Sequence, residues 1–230
     1  MPVKEPWSFE KSITAPILYL SQFIEPGDSV IDIGCGTGGC MRFLKEHIPD
    51  IKITGLTNSK ATLETCQSQG AGRIVLGDFN EMPVNSLGHY DVAYLMESFF
   101  YFGKSYDDKV LTLKRIKNVA SRLVARILTF PDGHPQPEGF WGRSGLALTL
   151  TELNQAILEA GWMDPKYHVT PHLNNKRFAG AYFEIFQHLA KKYNEVPPRD
   201  MCYYNSPLKA YSKGDVNLDI LATHVVAKAN

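Results

Sequence analysis

At 230 residues, with 44% hydrophobic and 21% charged side chains, the chain has the composition of one ordinary globular domain, 1–230, and is short for two. Its 24 Lys+Arg balance 24 Asp+Glu and no basic block runs along it, so the clustered positive charge that a phosphate backbone demands is missing and nucleic acid is not expected as a partner. No run approaches the about 18 apolar residues of a membrane span. The stretch MPVKEPWSFEKS holds no apolar signal core, and the four cysteines follow neither a disulfide nor a zinc spacing, so a cytoplasmic protein with reduced thiols is expected.

From Asp28 onward, short apolar runs alternate with helical periodicities, which predicts an α/β fold with a parallel sheet and crossover helices. Ser29 to Ile33 is the first predicted strand and Gly34 to Gly39 a glycine-rich turn. The helix that follows carries Cys40, Phe43, Leu44 and His47 on one face and stops near Pro49. Ile51 to Leu56 is the second strand; Asn58 or Ser59 caps the next helix and Gly70 ends it. Arg73 to Leu76 and Tyr90 to Met96 are the third and fourth strands. Asp107 to about Ser121 is helical, with Val110, Leu113 and Ile116 inward, and Leu123 to Phe130 is the fifth strand. Thr149 and Glu152 have capping-box spacing and open a helix with Leu153, Ala156, Ile157 and Ala160 on one face, closed by Gly161. Tyr167 to Thr170 and Ile220 to Ala227 complete the strands. Two segments break the alternation. One is the Pro- and Gly-rich loop Pro131 to Gly145. The other is Arg177 to Tyr193, where Phe178, Tyr182, Ile185, Phe186 and Leu189 repeat with helical spacing and predict a helical lid at about 171–205, before the last strand.

The sharpest local signal is Asp32-Ile33-Gly34-Cys35-Gly36-Thr37-Gly38-Gly39, between a strand and a helix. Glycines there tighten the turn and admit a ligand to the backbone. Gly34-x-Gly36-x-x-Gly39 also fits a dinucleotide fingerprint, and a purely structural turn explains it as well. A nicotinamide site, however, asks for an acid at the end of the second strand, and Gly55-Leu56-Thr57-Asn58 has none. Asp32, two residues before the first glycine, suits a cofactor with a positive amino group better than a pyrophosphate.

The run VIDIGCGTGG resembles the first motif of class I S-adenosylmethionine (SAM)-dependent methyltransferases. Further matches follow in order: ITGLTNS at 53–59, GDFNEMP at 77–83, YDVAYLMES at 90–98, TLTELNQAILEAGW at 149–162 and SPLKAYSKGDVNLDILATHVVAKAN at 206–230. The first of these, ITGLTNS, with a Thr/Asn/Ser turn in place of the usual acid, resembles the second-strand ending of the cyclopropane-fatty-acid-synthase-like branch. The resemblance covers roughly 20–230. It implies a Rossmann-like, mostly parallel seven-stranded sheet with helices on both faces and an antiparallel last strand. It also implies SAM as cofactor and methyl transfer to a small, largely apolar molecule whose acceptor atom (C, N or O) stays open. A homodimer stays open too.

Carried over by residue, the resemblance implies that Gly34, Cys35 and Gly36 face the cofactor with their backbone and that Asp32 holds the methionine part. Thr57 and Asn58 meet the ribose, Asp78 accepts from the adenine amino group with Phe79 against the ring, and Met96 and Glu97 lie at the methyl group. As plain residues, Asp78 also suits a turn cap and Phe79 the core. Glu97, at the carboxyl end of a central strand, suits a general base, an anchor for a substrate cation or a structural acid. Relatives often carry His four residues after such a Glu; here Tyr101 stands there. Phe99-Phe100-Tyr101-Phe102, with Phe130, Phe140 and Trp141, suits core packing and in part an apolar pocket whose ring faces favour a cationic sulfonium. Catalytic candidates are Glu97, Tyr101 and His134, in that order. No metal is expected: Asp132-x-His134 and His168-x-x-x-His172 have ligand-like spacing, but Pro171 spoils a helical second pair. Two other classes remain: a SAM-dependent enzyme that does not methylate, such as a cyclase, and a non-catalytic interaction module of this fold.

Overall fold

The computed structural model describes residues 9–133, 146–171 and 221–229. Strands are β1 Ser29–Ile33, β2 Lys52–Thr57, β3 Arg73–Leu76, β4 Tyr90–Met96, β5 Ala120–Thr129, β6 Met163–Pro171 and β7 Leu221–Lys228. Helices are α1 Phe9–Ser21, α2 Gly39–His47, α3 Lys60–Ser68, α4 Tyr106–Val119 and α5 Leu150–Glu159. The described strands form one seven-stranded sheet in the order β3-β2-β1-β4-β5-β7-β6. Neighbours from β3 to β5 run parallel, while β7 is antiparallel to both β5 and β6. No described helix is long and apolar enough to cross a membrane.

The central strands are buried on both faces, so they read as near-continuous apolar runs rather than alternating ones. One face packs Ile31, Ile33, Ala93, Leu95, Leu123 and Ile127 against α4 and α5. The other packs Val30, Val92, Tyr94 and Val124 against α1, α2 and α3 through Leu20, Met41, Leu44 and Cys66. Local signals agree with these positions. Ser105 and Asp108 form a capping box for α4, Thr149 and Glu152 one for α5, and the Ser59 side chain caps α3.

Several expectations need correction. The buried face of α2 is Met41 and Leu44, continued by Ile48, while Cys40 and Phe43 are half-buried and His47 is exposed, stacked on Phe43 with centroids 3.9 Å apart. The stripe that faces the sheet is thus turned by about one residue from the expected one. β5 begins at Ala120, earlier than Leu123, because no Gly or Pro marks the junction and Ala120 itself turns extended (φ −149°, ψ 149°). β6 runs back to Met163 through an irregularity between Met163 and Lys166, where Asp164 adopts φ 47°. α1 precedes the first predicted element; its C-terminal end is tied to β5 by Arg122, which donates to Phe23 O at 3.1 Å and pairs with Asp28 at 2.5 Å. His134, Phe140, Trp141, the helix at 177–193 and the lid at about 171–205 lie outside the described residues, apart from Pro171.

Candidate functional site

Chain order reverses between β1 and β4: β2 and β3 lie to one side, β5 and β7 to the other. Open α/β sheets bind ligands outside the carboxyl ends of the strands at such a switch point. There the chain makes its glycine turn. Gly34, Gly36 and Gly38 have φ of 82°, 53° and 76°, which side chains rarely adopt. The turn is anchored by Gly34 N and Cys35 N, which both donate to Leu56 O at 2.9 and 3.1 Å. A Cβ at Gly34 would lie 2.6 Å from Ser98 Cβ, so the turn passes flush against the segment after β4, and Ser98 Oγ donates to Ile33 O at 2.5 Å. A Cβ at Gly36 would meet nothing within 4 Å, so that glycine's open side faces away from the protein. Cys35 is buried, with its thiol beside Cys66, whose Sγ lies 3.2 Å from Gly36 O.

Beneath the turn lies Asp32, 1% exposed. Neither carboxylate oxygen has a hydrogen-bond partner among the described residues. Burial pushes the carboxyl up from 3.8 to about 7. A buried carboxylate without donors is costly, and a cation with several N–H groups is the natural remedy.

The ends of β2 and β3 complete one edge. Thr57 is buried; its Oγ1 accepts from Ser59 N at 3.2 Å and its carbonyl from Gly77 N at 2.9 Å. Asn58 is exposed and Asp78 half-buried. Asp78 Oδ1 accepts from Asn80 N at 2.8 Å, a turn-capping bond. Phe79 is 2% exposed. Its carbonyl accepts from Arg115 Nη2 at 2.6 Å, and its ring meets that guanidinium at 5.5 Å and Phe102 edge-on at 6.0 Å. It therefore supports the loop from within the core.

The other edge is the end of β4. Met96 is half-buried, and Glu97 adopts φ 57°, a strained conformation for a residue with a side chain, worth about 1–3 kcal/mol. β5 holds it there: Glu97 N donates to Arg126 O at 2.9 Å, and Glu97 Oε1 pairs with Arg126 Nε at 2.9 Å. Their side chains are 34% and 10% exposed, so the guanidinium is the more deeply buried partner. The aromatic run after Glu97 divides. Phe99 and Phe100 are core, Phe102 is half-buried, and Tyr101 stands 51% exposed against the Phe100 ring. Lys109, fully buried on α4, donates to Phe99 O at 2.8 Å and Phe100 O at 3.0 Å and lies over the Phe99 ring. Burial pushes this amine down from 10.5 to about 7. Phe130 is core, and Asp132 is bonded to Thr151 at the start of α5. His168 packs against Tyr19 and His224.

The structure thus brings Asp32, the glycine turn, Met96 and Glu97 to neighbouring strand ends, with Thr57, Asn58 and Asp78 beside them along the same sheet edge. No local sequence pattern singles out Arg126, Lys109 or Tyr94 as neighbours of these residues. A lone Arg inside the apolar run Leu123-Val124-Ala125-Arg126-Ile127-Leu128 was the available signal for the first. Lys109 follows two acids and reads as a surface residue.

Against known proteins, residues 30–121 match the family described as Methyltransferase domain. The O-methyltransferase rstn1 of Aspergillus nomiae is 32% identical over 122 residues, 49% of this chain and 52% of that protein. The chain spans about half or less of the length of the curated relatives it matches. The cyclopropane synthase MmaA2 of Mycobacterium tuberculosis superposes with a TM-score of 0.79 at 19% identity, over 98% of this chain and 87% of that one. The [4+2]-cyclase SpnF gives 0.75 at 16% identity, over 99% and 85%. At such identities these two show a shared fold.

Proposed function

We propose that this chain, which carries a methyltransferase domain over residues 30–121, transfers a methyl group from SAM to a small molecule. The observation that carries the cofactor is Asp32, a buried carboxylate whose two oxygens have no hydrogen-bond partner among the described residues, below a glycine turn with an open face at Gly36. In this reading Asp32 receives the methionine ammonium, and the backbone of Gly34, Cys35 and Gly36 lies along the cofactor. Asn58 and the Thr57 backbone meet the ribose, since the Thr57 hydroxyl already serves Ser59. Asp78 accepts from the adenine amino group while Phe79 stiffens its loop. Met96 borders the reacting methyl.

SAM supplies an electrophilic methyl group, so the protein's work is alignment and exclusion of water. Glu97 is the first candidate to act on the acceptor. Its pairing with Arg126 holds it at one place beside the glycine turn, as an anchor or a base for the incoming molecule. Tyr101 offers an exposed ring and hydroxyl at the rim, and His134 is the third candidate. The aromatic side chains suit a largely apolar acceptor. Cys35, Cys40 and Cys66, free among the described residues, suit a reducing compartment, and we assign the protein to the cytoplasm. The balanced charge calls for no nucleic-acid partner.

Incubation with methyl-labelled SAM and fractionated small-molecule extracts tests the reading. Label should move to a small molecule. Label that stays on SAM across all fractions, from a chain that binds SAM, would exclude methyl transfer to those molecules.

A further inference from the structure

Tyr94 lies on β4 as the direct register partner of Asp32 on β1. Side chains alternate along both strands. Val30 and Val92, two residues before each, pack in the core under α1 and α2, so Asp32 and Tyr94 point to that same face. Adjacent strands are about 4.8 Å apart, which makes the two side chains immediate neighbours. Both are sealed from solvent, at 1% and 0% exposure. Yet Asp32 Oδ1, Asp32 Oδ2 and Tyr94 Oη all lack a hydrogen-bond partner among the described residues.

This is not how a merely structural pair behaves. A phenol beside a carboxylate satisfies both groups with one short bond, and a phenylalanine fills the same core volume with no polar atom to satisfy. An unpartnered buried hydroxyl costs about 1–3 kcal/mol. Burial, with the Cys40 thiol and the Asp32 charge nearby, pushes the phenol well above its usual range, so the hydroxyl keeps its proton. The other charge near it, Arg126, is engaged by Glu97. What suits two carboxylate oxygens and a phenol oxygen together is a group with several N–H donors and a positive charge.

We propose that Tyr94 is a cofactor-binding residue: its hydroxyl and the Asp32 carboxylate together receive the ammonium of the methionine end of SAM, directly or through one buried water. This rests on the SAM reading above and adds to it a residue on β4, away from the glycine turn.

The test is calorimetry with two probes: S-adenosylhomocysteine (SAH), which carries the ammonium, and methylthioadenosine, which shares the adenosine and sulfur and lacks the amino-acid end. Tyr94→Phe should weaken SAH about tenfold, the worth of one bond to a charged group, and leave methylthioadenosine unchanged. In Asp32→Asn/Tyr94→Phe the loss should be smaller than the sum of the single losses, because both act on one ammonium. Unchanged SAH affinity in Tyr94→Phe, an equal loss for both probes, or strictly additive losses would overturn the assignment while leaving the SAM reading in place. A wild-type chain that binds neither probe would overturn both. If Tyr94→Phe does not fold, the wild-type probes still decide: equal affinity for SAH and methylthioadenosine would overturn an ammonium receptor here.

Discussion

If Asp32 receives an ammonium, its titration should appear in the cofactor affinity. Burial raises the carboxyl to about 7, so near neutrality the free protein holds a mixture of ionised and protonated Asp32. Only the ionised form offers a charge to the ligand. The apparent dissociation constant is the intrinsic one divided by the competent fraction. Between about pH 7.5 and about pH 5.5 that fraction falls roughly twentyfold, while the ligand's α-amino group, titrating near about 8, stays largely protonated. SAH affinity measured by calorimetry should therefore weaken by about an order of magnitude over that interval. Asp32→Asn keeps the shape, removes the charge and should give a weak, nearly pH-independent affinity. Stability should move oppositely. The folded carboxyl holds its proton above the ordinary 3.8, so between about 4 and about 7 the folded state binds more protons and stability falls as pH rises. Asp32→Asn should abolish that slope in urea titrations. Wild-type SAH affinity that stays flat across the interval would show that no ionised Asp32 receives the ammonium.

Two further perturbations probe the β4 edge. Glu97→Gln removes the partner of a largely buried guanidinium. It should cost about 1–2 kcal/mol in urea unfolding, less than the about 3–5 kcal/mol of a fully buried pair because a third of the Glu97 side chain is in solvent. In the labelled-SAM assay it should slow transfer about 100-fold while SAH affinity holds; normal transfer would exclude an anchoring or base role. Lys109→Met strips two carbonyls of their donor and should cost about 1–3 kcal/mol. Because the folded amine titrates at about 7, below the unfolded 10.5, the unfolded chain binds more protons in that window and wild-type stability should rise with pH through it. Lys109→Met should flatten the rise, and an unchanged slope would show that the amine titrates normally.

The bounds of β1, β3 and β4 could be read from the sequence because each is a short apolar run closed by glycine or acid punctuation. The α4–β5 junction lacked such punctuation, and α1 lies ahead of the first strong alternation. Asp32 was legible from its place before the glycines, and Glu97 from its place at a strand end. Their environments were not. That Arg126 holds Glu97 follows from the pairing of β4 with β5, a consequence of strand order rather than of any local pattern. The same holds for Tyr94 beside Asp32. Phe79 shows the limit from the other side: an aromatic after an acidic turn suits a ring platform or the core, and here Arg115 and Phe102 enclose it.

In the proposed reading SAM binds at the β1–β4 switch point. The most direct test is calorimetric titration of SAH and of NADH into the wild-type chain and into Gly36→Ala. A Cβ at Gly36 meets nothing within 4 Å, so the protein has room for it; the left-handed backbone adds a strain of about 1–2 kcal/mol. The wild type should bind SAH and ignore NADH, and folded Gly36→Ala should lose most of its SAH affinity. Binding of NADH with no response to SAH would contradict that reading.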